Sequence, residues 1–180
     1  EHTPELFTLL FVGRLTTQKG VTHILQALHD IKQSDHDAYA AMRCIIVGDG
    51  PLRTSLEAEA RTLEIEDVVS FYGWAERSVL PDIFRSSSVF VAPSSEEGMP
   101  NVVLEALASG LPVVATDIPG TNELVVHEKN GVLIQDPSVL PQAILRLFHN
   151  PTERVAFGSA SRQMATERGW ENVAKAYTMF

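Results

Sequence analysis

The chain has 180 residues, of which 44% are apolar, and a formal net charge of −9. That length carries one compact domain with a real core, and no apolar run approaches the ~20 residues that span a bilayer. The acidic balance excludes a general nucleic-acid surface, which needs clustered Lys and Arg, but leaves room for one local phosphate site.

The chain begins at Glu1, without an initiator Met and without a basic stretch leading into an apolar one. No signal peptide is therefore expected, and the chain reads as a piece of a longer protein. Phe7 to Val12 is a nearly continuous apolar run, the pattern of a central parallel strand covered on both faces. It ends at Gly13-Arg14-Leu15-Thr16-Thr17-Gln18-Lys19-Gly20. From Val21, the apolar residues Ile24, Leu25, Leu28 and Ile31 fall at helical spacing. Ser34 to Ala41 is short and polar and reads as a loop. Met42 to Val47 is a second strand, and its single cysteine, Cys44, reads as a small core residue that excludes an internal disulfide and a Cys-based metal site.

Gly48-Asp49-Gly50-Pro51 forms a tight turn into a helix expected over Pro51 to Leu63. Val68 to Tyr72 is the third strand, and a short helix carries Leu80, Ile83 and Phe84. Val89 to Ala92 is the fourth. After it a polar loop leads into a helix with Pro100 expected at its first position and Gly110 and Pro112 at its end. Pro112 to Thr116 and Gly131 to Ile134 are further strands, with a short helix expected through Glu123, Leu124 and Val125 between them. Three helical stretches close the chain, over Val139–Phe148, Thr152–Thr166 and Trp170–Phe180. Alternating strands and helices predict a Rossmann-like three-layer α/β/α domain over residues 1–180, with a parallel sheet of about six strands.

In such sheets ligands bind beyond the C-terminal ends of the strands, and the unusual residues of this sequence all lie there. Arg14 and Lys19, bracketed by Gly13 and Gly20, offer a planar fork and a point charge for phosphate. Neither a Walker A ending nor a full G-x-G-x-x-G follows the first strand, so a nicotinamide-dinucleotide site has no support. Glu97 lies in the loop after the fourth strand and Glu105 in the second turn of the following helix, flanking a helix N-terminus that favours anions. Trp74 could stack on a base, although a lone aromatic more often packs. Glu123 reads as an early-helix acid, and His127 and His149 as solvated or cap-like. No Ser/His/Asp set and no metal-ligand spacing can be assembled.

Taken together, these residues resemble the C-terminal domain of GT4-type glycosyltransferases, which have the GT-B fold. The matching pieces are Gly13-Arg14-Leu15 with Lys19-Gly20, Gly48-Asp49-Gly50-Pro51, Glu97-Gly98-Met99-Pro100 through Glu105, Gly110 to Thr116, and Glu123. Positions 97 and 105 enclose seven residues, the E-x7-E motif.

The resemblance implies a retaining transferase that takes a sugar from a UDP-, GDP- or ADP-sugar without a metal in the transfer step. By analogy, Arg14 and Lys19 hold the diphosphate, and the backbone at Pro100, Asn101 and Val102 faces the same phosphates. Glu105 takes the ribose, and Glu97 the transferred sugar with Gly98 and Met99. Tyr72, Gly73 and Trp74 lie against the base, and Gly48 belongs to the binding set.

The resemblance also implies a missing N-terminal domain that supplies the acceptor glycan or lipid, an isolated domain without transferase activity, and a cytoplasmic setting, peripheral on the membrane through that absent half. It implies a last helix whose Trp170, Val173, Tyr177 and Phe180 are partly exposed. A sugar-nucleotide-binding module and a GT-B nucleotide-sugar epimerase are the alternative readings. A flavodoxin-like signalling domain ranks far lower, because it calls for acids where this chain has Arg14 and Lys19.

Overall fold

The expected apolar runs form six parallel strands in a computed structural model that describes residues 6–98 and 100–167. They are β1 (Phe7–Val12), β2 (Met42–Val47), β3 (Val69–Gly73), β4 (Val89–Ala92), β5 (Val113–Thr116) and β6 (Gly131–Ile134), in the spatial order β3-β2-β1-β4-β5-β6. All five pairings are parallel. This is a doubly wound sheet whose order reverses between β1 and β4, where such folds place their ligands.

The helices are α1 (Val21–Ser34), α2 (His36–Ala40), α3 (Arg53–Thr62), α4 (Leu80–Arg85), α5 (Asn101–Ala108), α6 (Leu140–His149) and α7 (Pro151–Glu167). Strand alternation divides the core. Leu9 and Phe11 join Ile24, Leu28, Leu56 and Ile144 on one face of the sheet. Leu10 joins Phe84, Phe90, Val103 and Leu107 on the other. Both faces are covered, which is why the strands read as unbroken apolar runs. Cys44 is fully buried in the first cluster, and burial pushes its thiol up to about 12.

Several boundaries differ from the sequence reading. Ser34–Ala41 is not a loop: α1 runs to Ser34 and α2 follows, its start capped by the Asp35 carboxylate accepting from the Ala38 N–H at 3.0 Å. Pro100 precedes α5 as its cap, with ψ of 78°, rather than occupying its first turn. Its carbonyl accepts from the Val103 N–H at 2.8 Å. Residues 119–124 form turns, not a helix: the Thr121 carbonyl accepts from both Leu124 and Val125 and the bonding stops there, leaving Glu123 exposed on a turn. The α3 helix begins at Arg53, after a turn through Pro51 and Leu52. The Trp170–Phe180 helix, with its expected exposed face, lies outside the described residues.

His149 and His127 are not merely solvated. His149 Nε2 lies 2.9 Å from Asp35 Oδ2, tying α6 to the α1–α2 junction. His127 Nδ1 accepts from the Leu133 N–H at 3.0 Å. Arg146 ties α6 to α7 and to the 126–130 turn through Glu153 and Glu128, and these two carboxylates raise its already high pKa, Glu128 first.

At Gly48, φ is +131°, and a Cβ would stand 1.9 Å from the Gly13 carbonyl oxygen. Gly48→Ala is therefore expected to destabilise the fold by roughly 2–4 kcal/mol, read as a lower denaturant midpoint with an unchanged m-value. Cys44 is expected to stay inert to a thiol-titrating disulfide at about pH 8 in the native state and to react fully in denaturant.

Candidate functional site

The loops after β1 and β4 meet at the reversal of strand order. Gly20, with φ of +68°, lets α1 start directly against the end of β4, where any Cβ would stand 2.2 Å from the Pro93 carbonyl oxygen. The Ser95 N–H donates to the Gln18 carbonyl at 2.9 Å, and the Gln18 amide donates to Glu96 Oε2 at 3.2 Å. Thr17–Lys19 is a single 3₁₀ turn that carries Lys19 toward the second loop.

Across this seam the Lys19 ammonium donates to Glu97 Oε1 at 2.6 Å, and the two side chains are only 27% and 11% exposed. Ser94 Oγ donates to the same oxygen at 2.8 Å. Ser94 itself is 2% exposed. The other carboxylate oxygen, Oε2, has no partner among the described residues. Arg14 is exposed on the same β1 loop and makes no ion pair with any described residue. Arg53, by contrast, is held by Glu57 at 3.0 Å and Asp49 at 3.3 Å.

The loops after β1, β2 and β3 are zipped to one another in turn by backbone bonds. The Leu15 N–H donates to the Asp49 carbonyl, the Leu52 N–H to the Leu15 carbonyl and the Gly48 N–H to the Gly73 carbonyl, at 2.9, 3.2 and 2.7 Å. Gly13 and Gly48 thus serve the frame of the site, and Arg14 rides on a fixed support.

Glu105 stands apart from this seam. It is exposed in the second turn of α5 and lines a cleft of about 950 Å³ with Asn101 and Leu104, faced by Arg77, Leu80 and Pro81 at the start of α4. Arg14, Lys19 and Glu97 are not among the lining residues. In the chain the start of α5 follows the Glu97 loop and precedes Glu105, and among the described residues no side chain caps it. Around Gly98, no heavy atom beyond its chain neighbours lies within 4 Å of the position a Cβ would take, while its carbonyl oxygen is packed against Gly120, where a Cβ would stand 2.7 Å away. Val102 packs its partly buried side chain against the second core cluster. Met99 lies outside the described residues.

The expectation that Trp74 packs is overturned. It is 74% exposed, and Tyr72 is 53% exposed. The β2–β3 register shifts between Ile46 and Val47, so that Val47 faces Gly73 and Tyr72 is left over, and Trp74 follows directly at the end of this edge strand. Such a bulge turns the end of an edge strand outward.

Sequence reasoning missed Gln18 and Ser94. A usable signal for Ser94 was present, since Ser-x-x-Glu is the spacing at which a hydroxyl and a carboxylate serve neighbouring groups. For Gln18 no local signal exists, because its partners lie 77 or 78 positions away.

The family described as glycosyl transferases group 1 matches residues 2–164. A glycosyltransferase of Methanocaldococcus jannaschii without assigned specificity is 32% identical over 170 residues, which cover 93% of this chain and 42% of that protein. The D-inositol 3-phosphate glycosyltransferase of Corynebacterium urealyticum is 35% identical over 173 residues, covering 92% of this chain and 40% of that one. The chain thus spans less than half the length of these relatives.

Among solved structures, Anabaena HepE in complex with UDP and glucose superposes with a TM-score of 0.84 at 24% identity, over 97% of this chain and 48% of that one. Sucrose-phosphate synthase from Thermosynechococcus elongatus superposes with a TM-score of 0.85 at 26% identity, over 97% and 44%. A doubly wound sheet, a cation–carboxylate seam at its reversal point and a family match over nearly its whole length lead to one conclusion: the chain belongs to the glycosyl transferases group 1 and forms a Rossmann-like domain of the GT-B kind.

Proposed function

We propose that this chain is the donor-binding half of a retaining, GT4-type glycosyltransferase that takes a hexosyl group from a UDP-, GDP- or ADP-sugar. The observation that carries the reading is the seam at the β1–β4 reversal. There Lys19 pairs with Glu97, whose second oxygen has no partner among the described residues, Arg14 lies on the same β1 loop without an ion pair to any described residue, and Glu97 leads within three residues to the α5 cap at Pro100. A diphosphate suits Arg14, Lys19 and the α5 N-terminus. Glu97 Oε2 suits a sugar hydroxyl, and Gly98 and Met99 contribute backbone. Glu105 suits a ribose, whose base then enters the α4–α5 cleft or meets Tyr72 and Trp74.

The chemistry needs little from the protein beyond these groups. The bond between the anomeric carbon and the diphosphate oxygen breaks, its electron pair leaving with the diphosphate. The acceptor hydroxyl attacks the same face of the sugar, and its proton passes to the departing phosphate oxygen. Arg14, Lys19 and the α5 N-terminus stabilise the charge that develops there, and no metal is required. HepE was solved with UDP and glucose, which supports a nucleotide-sugar reading. The acceptor, a glycan or lipid, belongs to a second domain, so this chain alone is expected to bind donor without transferring it. No helix of the described residues is long and apolar enough to cross a membrane. A cytoplasmic setting, with membrane contact through the second domain, fits the reading.

Calorimetric titration of UDP, GDP and ADP tests this directly, and one of the three is expected to bind at micromolar to millimolar concentration. Absence of binding by all three to the folded chain overturns the reading. Arg14→Ala is expected to weaken the bound diphosphate roughly tenfold while leaving the nucleoside unchanged. Glu105→Ala is expected to weaken the ribonucleotide more than its 2′,3′-dideoxy analogue. Equal losses in either comparison remove that residue from its role.

A further inference from the structure

The Glu97 carboxylate is held by two donors of different kinds. Lys19 contributes a charged one at 2.6 Å and Ser94 a neutral one at 2.8 Å, both to Oε1. A carboxylate only accepts, so the Ser94 hydroxyl proton must point at Glu97. Ser94 is 2% exposed and Glu97 is its only side-chain partner among the described residues. A buried hydroxyl needs a partner, and here that need fixes the orientation of the carboxylate. Ser94 is itself fixed. The Pro93 carbonyl before it abuts Gly20, and the Ser95 N–H after it donates to Gln18.

The two holders respond differently to a donor substrate. An ammonium has three protons, and Lys19 spends one on Glu97, leaving two for phosphate oxygens. A diphosphate brings negative charge to this cation and competes with Glu97 for it. A hydroxyl carries no charge, so the Ser94 contact does not face that competition. With donor bound, Ser94 becomes the contact that keeps Oε1 occupied and leaves Oε2 turned toward the sugar.

We infer that Ser94 is a positioning residue for the donor sugar, orienting Glu97 so that its free oxygen meets a hydroxyl of the transferred group while Lys19 is engaged by the diphosphate. The inference rests on the donor-site reading above and adds to it a residue and a division of labour. Ser94 serves the sugar, whereas Lys19 is shared between the sugar-facing carboxylate and the phosphates.

The test compares a nucleoside diphosphate with its own sugar conjugate. Calorimetry on the parent chain with UDP, GDP and ADP, and with UDP-glucose, UDP-N-acetylglucosamine, GDP-mannose and ADP-glucose, selects the tightest conjugate and its diphosphate. Ser94→Ala is expected to raise the Kd of the conjugate roughly three- to tenfold, the scale of one lost hydrogen bond, and to change that of the diphosphate less than twofold. Ser94→Thr, which keeps the hydroxyl, is expected to restore the conjugate. Lys19→Met is expected to weaken both ligands, because it serves both.

If Ser94→Ala weakens diphosphate and conjugate by the same factor, or leaves both unchanged, Ser94 does not position the sugar and the inference is overturned. The donor-site reading then still stands on diphosphate binding and on Arg14. If the parent binds no diphosphate, that reading fails first and takes the inference with it.

Discussion

The arrangement at the sheet's C-terminal edge depends on how closely the loops after β1 and β4 can approach each other. Gly20 against the Pro93 carbonyl removes the spacing that any side chain would impose. The Ser95–Gln18 backbone bond fixes the register of the two loops, and the Lys19–Glu97 pair closes the seam. A pair of this exposure lies between the ~0.2–1 kcal/mol of an exposed ion pair and the ~3–5 kcal/mol lost when a buried one is broken. It adds stability, but its larger effect is on geometry, because each side chain fixes where the other stands.

Much of the fold was legible because parallel strands buried on both faces leave unbroken apolar runs. Leu9, Leu10 and Phe11 face alternate cores, and none can be polar. What was not legible depended on single side chains or on distant partners. The α2 helix exists because Asp35 caps it, in a segment whose polarity reads as a loop. The expected helix through Glu123 stops after one turn because the Val126 N–H donates to Asn130 Oδ1 instead of continuing the ladder to the Asn122 carbonyl. The register shift that leaves Tyr72 without a partner in the β2–β3 pairing is a property of two strands that neither sequence shows alone.

For the candidate site, residue types were legible and contacts were not. Arg14, Lys19, Glu97 and Glu105 stand out by loop position and by glycine brackets. That Lys19 touches Glu97 across 78 positions, and that Glu105 opens instead into the α4–α5 cleft, follows from topology. The net charge of −9 points the same way. It opposes an anionic ligand at long range, so affinity for one must come from the few cations at the reversal point, where partial burial makes the charge of Lys19 count for more. Arg14, held on a backbone-bonded loop and without an ion pair to any described residue, offers its charge for that purpose.

The outward-turned Trp74 has an optical consequence. An indole with three-quarters of its surface in water emits at long wavelength and is open to collisional quenchers. It sits on the edge strand whose Gly73 carbonyl bonds to Gly48, at the rim of the loop network that supports Arg14. Anything that covers this rim must displace water from the ring, so the indole reports on the cover of that edge by its own emission.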